Sequence, residues 1–186
     1  MKKNIVQLVW QIIPVMIGVY LGFVISDWSA GNERKRQAKV LLDNLFTEIE
    51  ANEKQLKDVI DYHLMLRDSS IYYSNPENKV EKPAFFQGTK AMKLIGSAYA
   101  TGIQTGIINE LPMEQIQMIN QLYTIQSNYN DYGNIMMASL LDKDFSYKEE
   151  DIKKIARFLL VTMSDIVYLE TELINEYARV KTELKR

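Results

Sequence analysis

Two patterns divide the chain. From Ile5 to Trp28 the residues IVQLVWQIIPVMIGVYLGFVISDW carry no charge until Asp27 and show no polar face. After Glu33 the apolar positions recur every three or four residues among charges, the signature of amphipathic helices. The first stretch, as a helix, is roughly 36 Å long, enough to cross a hydrocarbon core of about 30 Å. Its most apolar part is Ile12–Ile25. Trp10 and Trp28 stand near its ends, where amphipathic rings favour the headgroup level, and Lys2 and Lys3 can snorkel beside it. Gln7 and Gln11 sit towards its start, and Pro14 is tolerated in a membrane helix. A cleaved signal peptide would have a shorter apolar region and a better small-x-small site than Trp28-x-Ala30 or Ser29-x-Gly31. A retained transmembrane anchor is the expectation.

The amphipathic part divides at its turn residues. Glu33–Asp68 places Leu42, Leu45, Ile49, Asn52, Leu56, Val59, His63 and Leu66 on heptad a/d positions, widened by Leu41, Phe46 and Ile60, which suits a bundle. Ser69 to Gly88 reads as a linker, punctuated by Asn75-Pro76 and Lys82-Pro83. A short helix is expected over Thr89–Thr101, with apolar Ala91, Leu94, Ile95 and Ala98 and Gly102 as its C-cap. Pro112 starts the next helix, to Leu141, with Ile116, Ile119, Leu122, Tyr123, Gln126, Tyr129 and Ile135 facing inward and Gly133 weakening its middle. Ser146 with Glu149 forms a capping-box pattern before a last helix, Tyr147 to Lys185. Its a/d positions are Ile152, Ile155, Leu159, Thr162, Ile166, Leu169, Leu173, Glu176 and Val180.

The expected fold is therefore all-α: one N-terminal transmembrane helix, then a helical bundle of about four helices with two long antiparallel helices. The expected division is 1–32 for anchor and junction and 33–186 for the soluble bundle. If the long helices are antiparallel, the C-terminus returns towards the membrane.

Composition narrows the chemistry. The net charge is −2 and there is no cysteine, which removes disulfides, thiol catalysis and zinc–thiolate sites. No basic stripe suggests nucleic acid. No phosphate loop, dinucleotide fingerprint, zinc motif or nucleophile elbow is present, so no enzymatic activity, cofactor or metal is expected. His63, the one histidine, lies on an inner stripe and reads as an interhelix hydrogen-bonding residue. Glu48 and Glu50 share no evident partner histidine of the kind a di-iron bundle uses. Glu170, Glu172 and Glu176 read as a solvated helix face.

Two groups of residues stand out as candidate interaction sites. Gly18, Gly22 and Ser26 form a small-xxx-small stripe, a geometry that admits a second helix backbone in lipid. Tyr99, Tyr123, Tyr129 and Tyr132 cluster by sequence around the broken-helix segment and define a candidate groove, against the commoner use of tyrosine as core with its hydroxyl at an edge.

The order of an apolar anchor, Asp27-Trp28, the Arg34-Lys35-Arg36 stretch and a long amphipathic helix resembles uncharacterised single-pass membrane families of Gram-negative bacteria. The segment Gly96–Tyr129, GSAYATGIQTGIINELPMEQIQMINQLYTIQSNY, is similar to one in those proteins, which often carry tryptophan at the place of Tyr99. The resemblance implies an inner-membrane, single-pass protein and brings no assigned activity. Lysine and arginine are nearly balanced across the anchor. A four-residue N-terminal tail favours a start-transfer anchor with a periplasmic bundle. The leading expectation is a non-enzymatic, membrane-anchored scaffold or accessory subunit. It would contact membrane lipid and bind a homo-oligomer or membrane-protein partner, and no nucleic acid. The alternative is a membrane-anchored ligand-binding sensor bundle that signals through a partner.

Overall fold

The computed structural model describes residues 2–82 and 85–184, with side chains described for residue 10 and from residue 12 onward. Pro83 and Lys185 lie outside the described residues, as do the side chains of Lys2, Lys3, Gln7 and Gln11. Helices α1 (Lys2–Ser74), α2 (Ser97–Thr105), α3 (Met113–Leu141) and α4 (Glu149–Leu184) follow in order, with a single 3-10 turn at Ile107–Glu110 before α3. No strand occurs among the described residues.

The first helix is one unbroken rod of 73 residues, about 110 Å long. It passes straight through the Ser29–Asn32 junction. Near its N-terminus α1 is long and apolar enough to cross a membrane, and none of that apolar window is buried within the chain. From Ala38 onward the same helix becomes the spine of the bundle. Helix α4 lies antiparallel along it: Lys181 bonds to Glu53, Glu170 to His63, and Lys153 reaches Pro76. Helix α3 runs parallel to α1, with Tyr123 against Glu48 and Gln126 against Asn52. The C-terminal end of α4 thus returns to the anchor side, where Leu184 lines a hollow with Leu42 and Phe46.

The core follows from the stripes. Leu45, Ile49, Leu56, Leu66, Ile119, Leu122, Leu159, Ile166 and Leu173 are fully buried, each stabilising the fold by about 1.5–3 kcal/mol relative to exposure. In α4 the inner track is rotated from the expected one. Ile152, Leu159, Ile166, Leu173 and Val180 are buried as expected, but their partners are Ala156, Met163, Glu170 and Tyr177. Ile155, Thr162, Leu169 and Glu176 are only partly buried. The reason is that α4 faces both α1 and α3, which shifts the centre of its covered face by one residue. In α3, Ile135 is exposed and Met136 and Leu140 are inside.

Other boundaries move for local reasons. Helix α1 continues to Ser74, past the expected linker start, and Tyr73 packs on Phe85 at 4.4 Å between ring centres. Residues 89–96 are not helical but form an extended strap, because side chains of α1 and α3 capture its backbone. Asn52 exchanges two hydrogen bonds with Ile95, at 2.7 and 2.9 Å, and Asn130 exchanges two with Leu94, at 2.9 and 3.2 Å. Gly102 is not a cap. It lies inside α2 against α1, where a Cβ would come within 2.8 Å of Leu41. The left-handed cap is Gly106, with φ of 72°. The capping box does not form either: Ser146 bonds Asp151 at 2.5 Å, and Glu149 instead pairs with Lys153 at 2.7 Å.

Candidate functional site

The bundle interior holds a ladder of polar side chains with three rungs along α1. The rung closest to the anchor is Glu48. Its Oε2 accepts from the backbone N–H of Ala98 at 2.8 Å and from Ser97 Oγ at 2.9 Å, and its Oε1 accepts from Tyr123 at 2.6 Å. Gly96 offers α2 no side-chain cap. Glu48 supplies one from another helix, placing a carboxylate where helix N–H groups are open.

One turn on, Asn52 and Gln126 form the second rung. Tyr177 donates to Gln126 Oε1 at 2.6 Å, Asn52 donates to the same oxygen at 3.1 Å, and Gln126 Nε2 donates to Ile95 O at 2.8 Å. Both amides therefore use their two polar ends, as burial requires.

The third rung is His63, Glu170 and Tyr129. His63 Nε2 lies 2.7 Å from the Thr89 carbonyl, which only accepts, so Nε2 carries a proton. Its Nδ1 lies 2.8 Å from Glu170 Oε1, so a second proton sits between them, on one partner or the other. Tyr129 donates to the same Oε1 at 3.0 Å. His63 and Glu170 are both essentially inaccessible to solvent. Glu170 Oε2 is buried with no hydrogen-bond partner, which makes this rung the costliest to desolvate.

Glu170 is thus not on a solvated face, and Glu48 has partners in Ser97, Ala98 and Tyr123. Glu172 is exposed, and Glu176, partly buried, pairs with the exposed Arg179 on the same helix. Sequence reasoning placed Asn52, His63 and Gln126 inside but missed Glu170. Its signal was its spacing from Met163, Ile166, Leu173 and Tyr177, which alternates three and four residues.

The four candidate tyrosines do not line one groove. Tyr99 and Tyr123 stack face to face with ring centres 4.3 Å apart, and Tyr99 donates to Asn120 at 3.0 Å. Tyr129 belongs to the His63 rung. Tyr132 donates to Asp165 at 2.6 Å. Burial, and then the neighbouring carboxylate, hold the Tyr123 and Tyr129 hydroxyls well above the ordinary tyrosine range. Burial followed by Asp165 pushes Tyr132 up to about 12. All three therefore stay protonated at neutral pH and serve as donors to carboxylates, not as bases.

The open space lies elsewhere. A groove of about 480 Å³ runs between α1 and α2, bounded by Asn44, Thr47 and Ala51 on α1 and by Ser97, Ala98 and Thr101 on α2. It continues towards the anchor as a second hollow of about 320 Å³, lined by Glu33, Arg36, Val40 and Gly102. Further still along α1, Gly18, Gly22 and Ser26 are exposed, and nothing lies within 4 Å of where a Cβ on either glycine would be. Among the described residues, no three His, Asp or Glu side chains converge as metal ligands. In comparisons with known proteins, no family model, no curated protein and no solved structure matches this chain.

Proposed function

We propose that this protein is a membrane-anchored helical scaffold, or accessory subunit, that binds protein partners and catalyses no reaction. The observation that carries this reading is the continuity of α1. An apolar segment that the chain itself leaves uncovered runs without a break into the spine of a bundle. A contact made by the membrane segment is thereby held in fixed rotation to the bundle surface. The inward polar groups support the non-enzymatic reading. Glu48, Asn52 and Gln126 are tied to neighbouring backbone and side chains, and the His63 rung is sealed from solvent. The resemblance to single-pass families of Gram-negative bacteria supports an inner-membrane site, and the reading puts the bundle on the periplasmic side.

Gly22→Ile tests the reading. It fills the open space beside α1 without making the segment less apolar. The expected result is normal membrane abundance after an alkaline wash with loss of the co-purifying complex in mild detergent. Val19→Ile, off the stripe, leaves the complex intact. A complex that survives Gly22→Ile in full removes the membrane helix from the contact. A reporter fused after Arg186 tests the side of the membrane.

A further inference from the structure

The apolar half of α1 carries one face of large side chains straight into a pair of lysines. At about 100° per residue, the exposed Trp10, Ile17, Leu21 and Trp28 stand on one line of α1, and that line runs on into Lys35 and Lys39, both exposed. The line lies about 120° round the helix from the Gly18, Gly22 and Ser26 stripe and about 100° from the face that the bundle buries. We propose that Lys35 and Lys39 bind the headgroups of anionic phospholipids, with Trp28 at the headgroup level beneath them, so that the edge of the anchor selects its lipid. This rests on the membrane-anchored reading above and names the class of lipid that the anchor meets.

Charge, height and shape favour this occupant. Among the basic residues that follow the apolar segment, Arg34 pairs with Glu110 at 3.3 Å and Arg36 with Glu33 at 2.7 Å. Lys35 and Lys39 have no ion-pair or hydrogen-bond partner among the described residues, and Asp43, one turn beyond Lys39, pairs with neither. Two positive charges are thus left open beside a segment apolar enough to cross a membrane. The unbroken helix fixes their height. Lys35 stands about 10 Å and Lys39 about 16 Å along the axis from Trp28, and the headgroup layer is roughly 5–8 Å thick. Side chains lean towards the N-terminus of their helix, which here is the direction of the apolar segment. The Lys35 ammonium can therefore reach back to the outer edge of the headgroups, and the Lys39 ammonium stands within about one Debye length, 8–10 Å, of them. Finally, the large side chains of this face hold a second helix backbone away, unlike the glycine stripe. A partner helix on that stripe leaves this face to lipid.

The chain has two tryptophans, so Trp10→Phe leaves Trp28 as a single reporter at the proposed site. The full-length variant is reconstituted in phosphatidylcholine vesicles that contain, at equal mole fraction, brominated phosphatidylcholine or brominated phosphatidylglycerol. Quenching of Trp28 fluorescence then gives the relative affinity of the two lipids. The expected preference for phosphatidylglycerol is about fivefold, the share of one lysine near an anionic surface, with Lys39 adding less. In the same background Lys35→Gln should remove most of the preference and Lys39→Gln a smaller part. Lys54→Gln, exposed on α1 about 39 Å from Trp28, should keep it in full. These substitutions change exposed residues, so the bundle stays folded, as circular dichroism checks. Equal quenching by the two lipids overturns the proposal and leaves the anchor standing, with an acidic protein segment as what the lysines would meet. A preference that survives Lys35→Gln and Lys39→Gln together overturns it as well. If neither lipid quenches Trp28, the segment is not in the membrane, and this proposal and the anchored reading both fall.

Discussion

The two halves of α1 invert each other. Over Ile12–Ile25 the helix shows apolar side chains outward on every side, and the chain covers none of them. Over Leu45–Ser70 it turns Glu48, Asn52, His63 and Ser70 inward, where they are almost wholly covered. The same backbone thus carries apolar groups where protein is absent and polar groups where protein is densest. What differs is the partner. In the first half a hydrocarbon medium or another helix can take the apolar surface, and no polar side chain needs satisfying beyond the backbone, which the helix itself pairs. In the second half Glu48, Asn52 and His63 meet donors or acceptors on α2, α3, α4 or the strap, and Ser70 donates to the Leu66 carbonyl of its own helix. Burial of polarity is tolerable only where it is paired.

Opposite charge insertions break this comparison most sharply. Leu56→Asp puts a charge at a fully buried position with no partner, and its expected cost exceeds about 4 kcal/mol, enough to unfold the bundle. Membrane attachment should persist. Ile17→Asp puts the same charge in the uncovered half, where insertion costs about 3 kcal/mol at the centre of a membrane helix. It should reduce membrane retention and leave the bundle folded. Thermal melts by circular dichroism and alkaline extraction, run on both variants, check the crossing pattern. Lys54→Asp, exposed on α1, should change stability by less than about 0.5 kcal/mol.

Next in size is the third rung. Glu170→Ala strands the Tyr129 hydroxyl and the facing nitrogen of His63 in a closed interior. The expected loss is about 3 kcal/mol, since removing one member of a buried polar pair leaves the other uncompensated. His63→Ala should cost a similar amount and also release Thr89 from the ring. Combined, the two should cost less than their sum by at least about 1 kcal/mol, because residues of one network are not independent. Strict additivity would mean that His63 and Glu170 are not coupled. Hydrogen exchange at residues 89–96 adds a local readout: the strap should exchange faster in His63→Ala.

The all-α fold and most of the inner face were legible in the sequence, for a physical reason. A helix buried on one side repeats its apolar residues at three and four, and Leu45, Ile49, Leu56, Ile119, Leu159 and Leu173 obey that repeat without help from anything distant. The polar positions were only half legible. Asn52 and His63 stood on an apolar stripe and so read as inward. Glu170 looked solvated, because a carboxylate is buried only if a partner is waiting, and His63 lies more than a hundred positions earlier in the chain. The strap was misread as helix because Ala91, Leu94, Ile95 and Ala98 have helical spacing. Its actual backbone partners, Asn52, Asn130 and Gln126, belong to other helices and leave no local mark. Gly102 was misread because a glycine near a helix end usually signals a cap, whereas here it permits α2 to approach Leu41.

A smaller effect than that of the third rung concerns the rim, where α1 and α4 meet at Glu53. This carboxylate is buried, yet Lys57 bonds to it at 2.8 Å and Lys181 bonds to it from α4. Burial works to raise its pKa, but the hydrogen bonds from Lys181 and Lys57, with their positive charges, outweigh burial and hold it below its ordinary value of 4.5. A carboxylate whose pKa falls on folding adds stability at pH values above its unfolded pKa. It loses that contribution as the pH drops through the lower folded value. Glu53→Gln should therefore be less stable than the parent at pH 7, by about 1 kcal/mol, given that Lys57 is well exposed and water screens its share. Once the pH is below that lowered folded value, the protonated parent and the variant should have nearly equal stability. Urea unfolding of both proteins at the two pH values measures the difference. A gap of the same size at both would mean that the glutamate acts through its shape and neutral hydrogen bonds, and that the charged rim contributes nothing beyond the apolar seam beneath it.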